Sequence, residues 1–209
     1  MHTLSHMSDV PQAPLRATLL ILAGGNSRRM GRPKALLPVG ATTLIEWLAA
    51  RLAPALAYLL VAGRDESQLP SGLRPHLVRD LHPGAVPLAG VEAGLAASPY
   101  DTVVAIGCDM PAVTPALMRR LVAAASADGV DACVPRVGGE PEPTCAAYRR
   151  SAAGPITAAL SEGRFKAADV LTALTVAWLD GEDPALFANL NTPADYRAFV
   201  EQLGQPGQG

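Results

Sequence analysis

Three arginines and a lysine fall within seven residues, at Arg28, Arg29, Arg32 and Lys34, directly after the glycine pair Gly24-Gly25. That pair ends the apolar run Thr18-Leu19-Leu20-Ile21, which reads as a strand buried on both faces. Glycine lets the backbone approach a ligand closely and turn with positive φ. Successive N–H groups in such a turn make an anion-binding concavity, and cationic side chains add full charge. The chemistry favoured is the grip of a small polyanion such as a nucleoside triphosphate. Two common glycine motifs do not fit. Residues 24–29 lack the G-x-G-x-x-G of dinucleotide folds, and Gly25 to Gly31 encloses five residues where a P-loop has four.

A second candidate is a lone carboxylate. Thr102-Val103-Val104-Ala105-Ile106-Gly107-Cys108-Asp109-Met110-Pro111 reads as a buried strand that delivers Asp109 at its carboxyl end, where open α/β sheets place ligands. Pro111 cannot donate to the ladder and stops the strand. A charge at the end of so apolar a run is costly unless paired or bound to metal. Magnesium, which takes one or two carboxylates plus substrate phosphates, meets that requirement. Asp80, at the end of a short strand over 76–78, reads equally well as a ribose or base contact and as a cap. Asn189 and Asn191 alternate, so on a strand both amides would face one cleft.

The run L-A-G-G-x-S-x-R-M-G-x-x-K-A-L-L-P, Leu22 to Pro38, resembles the signature loop of the molybdenum cofactor guanylyltransferases. These belong to a wider group of nucleotidyltransferases that activate sugars, lipids and cofactors. Cys108-Asp109-Met110-Pro111, the E-P-x-x-A-x-Y-R-R of residues 142–150 and Phe187-Ala188-Asn189-Leu190-Asn191-Thr192-Pro193-Ala194-Asp195 extend the likeness over nearly the whole chain. The resemblance implies GTP held by Leu22, Ala23, Gly24, Gly25, Lys34, Asp80, Gly90 and Asp109, and magnesium on Asp109. Arg29, Lys34 and Asp109 would serve catalysis. Lys166, with Asn189 and Asn191, would face a pterin substrate, molybdopterin or the molybdenum cofactor. The implied reaction moves GMP from GTP to that pterin, with pyrophosphate as co-product, and proteins that deliver or accept the cofactor are possible partners. Two departures stand out. The family has a basic pair where this chain has Phe165-Lys166, leaving Arg164 as the other candidate charge. Its asparagine near the end of the second strand is absent from Leu60-Val61-Ala62-Gly63. Alternatives are a cytidylyltransferase acting on molybdopterin, a sugar-phosphate nucleotidyltransferase, or a non-catalytic carrier of nucleotide or cofactor. The guanine assignment rests on L-A-G-G, where cytidyl relatives resemble L-A-A-G, and on the asparagine pair Asn189 and Asn191.

The elements needed to position these residues follow a simple order. Thr42 or Thr43 caps a helix to about Ala53, and Ala57–Val61 is a second strand. A small-residue helix follows Gly90, and Thr114-Pro115 opens another. Strands over 131–137 and 144–148 flank a Gly138-Gly139 turn, and Val176–Leu179 precedes a last helix begun by Thr192-Pro193. Buried strands alternating with helices predict an α/β fold, a three-layer α/β/α Rossmann-like sandwich with a mostly parallel sheet and a small β insertion around 131–148. The 209 residues suit one domain over 17–203, with a flexible tail at 1–16 and a disordered one at 204–209. Half the chain is hydrophobic (49%) and the net charge is −2, so the basic cluster is local and general nucleic-acid binding is not expected. Three unpaired cysteines, no apolar leader region and no membrane-length apolar run predict a cytoplasmic protein.

Overall fold

The computed structural model describes residues 13–24, 33–80 and 87–204. The chain enters through β1 (Leu15–Leu22), then a short ribbon of β2 (Pro38–Val39) and β3 (Thr42–Thr43), and α1 (Leu44–Leu52). Next come β4 (Leu56–Gly63), β5 (Leu77–Arg79), α2 (Pro87–Ala97), β6 (Thr102–Gly107) and α3 (Pro115–Ala125). The second half runs β7 (Ala132–Val137), β8 (Glu140–Pro141), β9 (Cys145–Arg149), α4 (Ala153–Ser161), α5 (Ala167–Leu171), β10 (Val176–Leu179) and α6 (Pro193–Leu203). β1 starts two residues inside the segment expected to be a tail, and Leu15 is already in register with Leu56 of β4.

The sheet order is β10-β7-β9-β6-β1-β4-β5, with β8 folded back on β7. β1, β4, β5 and β6 are mutually parallel, as are β7 and β10, while β9 runs against both β6 and β7. The β segment expected as an insertion therefore lies within the main sheet: β9 is a central strand, and the β7–β8 hairpin alone projects from it. Alternate residues feed two cores. Leu19, Ile21, Val104 and Ile106 face the α1 and α3 side, and Leu20, Leu22, Val103 and Ala105 face the α2, α4 and α5 side. β6 is buried along its whole length, as a strand covered by helices on both faces must be.

Helix starts follow the chemistry of their first residues. Thr43 caps α1, its backbone N–H and hydroxyl both meeting Glu46 Oε2 at 2.9 and 2.7 Å. The Thr114 hydroxyl accepts from the Leu117 N–H at 3.3 Å, with Pro115 at the first helical position. β9 carries the fully buried Tyr148, whose hydroxyl donates to the Pro143 carbonyl at 2.8 Å and ties strand to hairpin. Tyr148→Phe removes that donor without changing shape. It should cost about 1 kcal/mol, read as a lowered urea midpoint at unchanged slope.

Candidate active site

The chain builds outward from β1 to β4 and β5, then returns to lay β6 on the other side of β1. The carboxyl ends of β1 and β6 thus flank the topological switch point, the crevice where open α/β sheets bind ligands. The Cys108 N–H donates to the Leu22 carbonyl at 3.1 Å across that crevice, and the Gly107 N–H to Thr144 at 2.8 Å beside it. Both strand ends are fixed where polar residues begin.

Lys34, Asp109 and Asn191 meet here from remote parts of the chain. Lys34 Nζ donates to Asp109 Oδ2 at 2.8 Å and to Asn191 Oδ1 at 3.1 Å. The Lys34 and Asp109 side chains are 17% and 26% exposed, so the pair is sheltered but reachable. Lys34 opens a single helical turn, pinned by the buried Ala35 and Leu37. Leu37, Val39, Leu44 and Leu190 form a small satellite core, with Trp47, Tyr196 and Phe199 against it. The Leu190 N–H donates to the Asp109 carbonyl at 2.8 Å, and the Tyr196 hydroxyl donates to the Pro38 carbonyl. Outside this core, Arg51 lies 4.3 Å over the Trp47 ring and donates to the Pro111 carbonyl at 2.7 Å, bracing the turn after Asp109.

The expected strand over the two asparagines does not form. Residues 188–191 are irregular, because the single helical turn Pro184–Phe187 and the α6 cap dictate their path. Asn189 Nδ2 turns back to the Phe187 carbonyl at 3.3 Å, so of the two amides only that of Asn191 contacts Lys34. Asp195 accepts from the N–H groups of Asn191 and Thr192 at 2.9 and 2.8 Å in a capping box, which fixes Asn191 from behind.

A second cluster forms where Asp80, just after β5, reaches back over the ends of β4 and β1 toward Gly24. A Cβ built on Gly24 would stand 3.3 Å from Asp80 Oδ2. One on Gly90 would meet Leu22 at 2.9 Å, Ala62 at 3.0 Å and Asp80 Oδ1 at 3.5 Å. Only glycine lets α2 come this near the ends of β1 and β4. Asp80 Oδ1 is buried with no hydrogen-bond partner among the described residues. Burial raises the Asp80 carboxyl above its ordinary range, with the Arg64 charge opposing. A buried acceptor of this kind suits a ligand N–H or O–H. The carbonyls of Ala62 and Gly63, which end β4, accept from Ala23 and Asp80 at 2.9 and 3.4 Å. The strand lacking the family's asparagine thus already uses these two acceptors within the frame.

Lys166 is exposed at the start of α5, and Arg164 is paired with Glu162 at 2.7 Å. Among the described residues neither contacts the Lys34–Asp109–Asn191 cluster. Arg150 bonds the Ser98 carbonyl and Thr157 bonds Glu92, so α4 runs back along α2 and its end lies toward the site. Gly25, Arg29 and the neighbouring Arg28 and Arg32 lie outside the described residues. The Glu142 carboxylate, which opens the E-P-x-x-A-x-Y-R-R motif but has no role of its own assigned from sequence, accepts from Thr144 at 2.5 Å beside the crevice. Cys108, next to Asp109, is a buried thiol pushed up to about 12, chiefly by desolvation and further by the Asp109 charge, and is no nucleophile at neutral pH.

Asp109 also fits a divalent cation. No group of three or more metal-ligating side chains gathers among the described residues. An ion here would take one protein carboxylate and draw its other ligands from phosphates and water, the habit of magnesium. No helix among the described residues is long and apolar enough to cross a membrane.

The chain as a whole is similar to known proteins. Residues 19–177 match the family model described as the MobA-like NTP transferase domain. A probable molybdenum cofactor guanylyltransferase of Pelotomaculum thermopropionicum is 35% identical over 87% of this chain and 90% of its own. A molybdenum cofactor guanylyltransferase of Cereibacter sphaeroides is 36% identical over 84% and 91%. Among solved structures, molybdopterin-guanine dinucleotide biosynthesis protein A of Archaeoglobus fulgidus superposes with a TM-score of 0.77 at 30% identity, covering 89% of this chain and 98% of its own. The 2-C-methyl-D-erythritol 4-phosphate cytidylyltransferase of Thermus thermophilus gives 0.68 at 27%, covering 90% and 98%.

The buried carboxylate yields a test. A carboxyl whose folded pKa is raised binds protons more tightly when folded, so stability falls as pH climbs from its unfolded toward its folded value. Asp80→Asn abolishes that fall. The variant should melt above wild type at pH 7 to 8, the gap closing below about pH 4. Thermal melts across pH decide the point.

Proposed function

The chain belongs to the MobA-like NTP transferase family and is a nucleotidyltransferase, and on that premise we propose that it transfers GMP from GTP to molybdopterin, or to its molybdenum form, in the cytoplasm. The products are the guanine dinucleotide cofactor and pyrophosphate. The observation that carries the reading is the meeting of Lys34 Nζ and Asp109 Oδ2, 2.8 Å apart, at the switch point of the sheet.

The acceptor is a phosphate already ionised at neutral pH, so no protein general base is needed. The chain's task is to position two anionic groups and offset their charge, as in phosphoryl transfer generally. Lys34 supplies a positive charge for the oxygens between the α-phosphorus and the leaving pyrophosphate, and Arg29 of the signature loop is assigned the same task. Gly24 and Gly25, with Leu22 and Ala23, give the triphosphate close backbone approach. Asp80, with Gly90 behind it, faces the sugar and base, where its buried oxygen finds a donor. Asp109 would hold magnesium, which when bound with the nucleotide draws charge from the phosphate oxygens. Asn191, Asn189 and Lys166 are assigned to the pterin side.

Pyrophosphate release tests this directly, comparing GTP, CTP, ATP and UTP with molybdopterin present. GTP should be preferred, and a preference for CTP would overturn the guanine assignment. Lys34→Ala should lose roughly a hundred- to a thousandfold in rate, the size of one preorganised charge contact. Near-normal turnover in that variant would remove Lys34 from the mechanism, and normal turnover in Asp109→Asn would do the same for the metal site.

A further inference from the structure

The Lys34–Asp109 pair is placed where two cations have a claim on one oxygen. Lys34 Nζ sits 2.8 Å from Asp109 Oδ2, and neither group is loosely held. The ammonium is stationed by its own pinned turn and by Asn191 Oδ1 at 3.1 Å. Asn191 is anchored through its N–H to Asp195, and Asp109 through its carbonyl to the Leu190 N–H. A divalent ion bound to the same carboxylate would lie about 2.1 Å from its ligating oxygen. It would then face the ammonium at close range, with charge repulsion only partly screened in a crevice that is partly open to water.

We infer that Lys34 and the divalent cation are competing occupants of the Asp109 carboxylate, so that the cation binds more tightly together with the nucleotide than alone. This rests on the proposed reading of Asp109 as the metal residue. The triphosphate resolves the competition because its oxygens offer Lys34 another anion. The ammonium then turns from Asp109 to phosphate while Asn191 still holds it, and the carboxylate is released to the metal. Lys34 is thereby a device that sets binding order as well as a charge for catalysis, and Asn191 is the positioning residue that keeps it within reach of both partners. The consequence runs against ordinary expectation for a site residue: removing Lys34 should harm turnover yet improve metal binding by the protein alone.

Manganese, followed by the loss of its free-ion electron paramagnetic resonance signal on titration, is the probe. Wild type, Lys34→Gln, Lys34→Met, Lys34→Arg, Asp109→Asn and the Lys34→Gln/Asp109→Asn double variant are titrated without nucleotide and with a non-hydrolysable GTP analogue, after melting curves establish that each is folded. Without nucleotide, Lys34→Gln and Lys34→Met should bind manganese about two- to fivefold more tightly than wild type, the scale of one part-exposed charge pair. Lys34→Arg should stay near wild type, and the double variant should lose the gain. Unchanged or weaker manganese affinity in both neutral variants overturns the inference, as does wild type binding manganese as tightly without the analogue as with it. Failure of the underlying site reading gives a different pattern: Asp109→Asn would then leave manganese binding with the analogue intact.

Discussion

An ion pair between residues 75 positions apart cannot hold a fold together; the fold has to hold the ion pair. A part-exposed pair such as Lys34–Asp109 contributes on the order of 0–1 kcal/mol, less than burying a single leucine. The constraint on which the rest depends is therefore the burial of β1 and β6 side by side in an apolar sheet. Their carboxyl ends bring the Gly24 turn and Asp109 to one crevice whatever the polar residues do there. The cost of placing a carboxylate at the end of so apolar a strand is met locally, by Lys34 and by a tip that stays partly open to water.

The satellite core serves the site more than it serves stability. Leu37, Val39, Leu44 and Leu190 come from the end of the signature loop, β2, the start of α1 and the loop before α6. Packing them together brings Lys34 and Asn191 over Asp109 and seats α6 on α1, where Trp47 and Phe199 meet edge to face at 5.2 Å. Asp195 illustrates the division of labour. Its carboxylate caps α6 and takes the Asn191 N–H at once, so a residue with an ordinary structural role fixes a residue at the site.

Much of this was legible because the physics is local. Paired glycines after a buried strand, a lone aspartate before a proline, and Thr-Pro helix starts each announce themselves within a few residues, and the described elements follow them. The errors arose where local pattern leaves direction or contact open. Cys145-Ala146-Ala147-Tyr148 is buried on both faces, and such a run reads the same whichever way the strand points, so β9 was expected in a side insertion rather than reversed in the centre of the sheet. Asn189 and Asn191 have strand spacing, but the short helical turn before them and the cap after them decide the backbone. Asn191 proved to be a partner of Lys34, a contact across 157 residues to which no short-range signal corresponds.

The reversed position of β9 has a consequence for how the molecule is made. β6 takes β1 on one side and β9 on the other, whereas β7, which precedes β9 in the chain, joins the sheet through it. While the protein emerges from the ribosome, the outer edge of β6 stays unpaired until residues 145–149 arrive and slot between strands already synthesised. An unpaired edge of this kind, Val103 to Ile106, is the sort that pairs with other chains. The nascent polypeptide therefore carries an open apolar strand edge from the completion of β6 until the completion of β9.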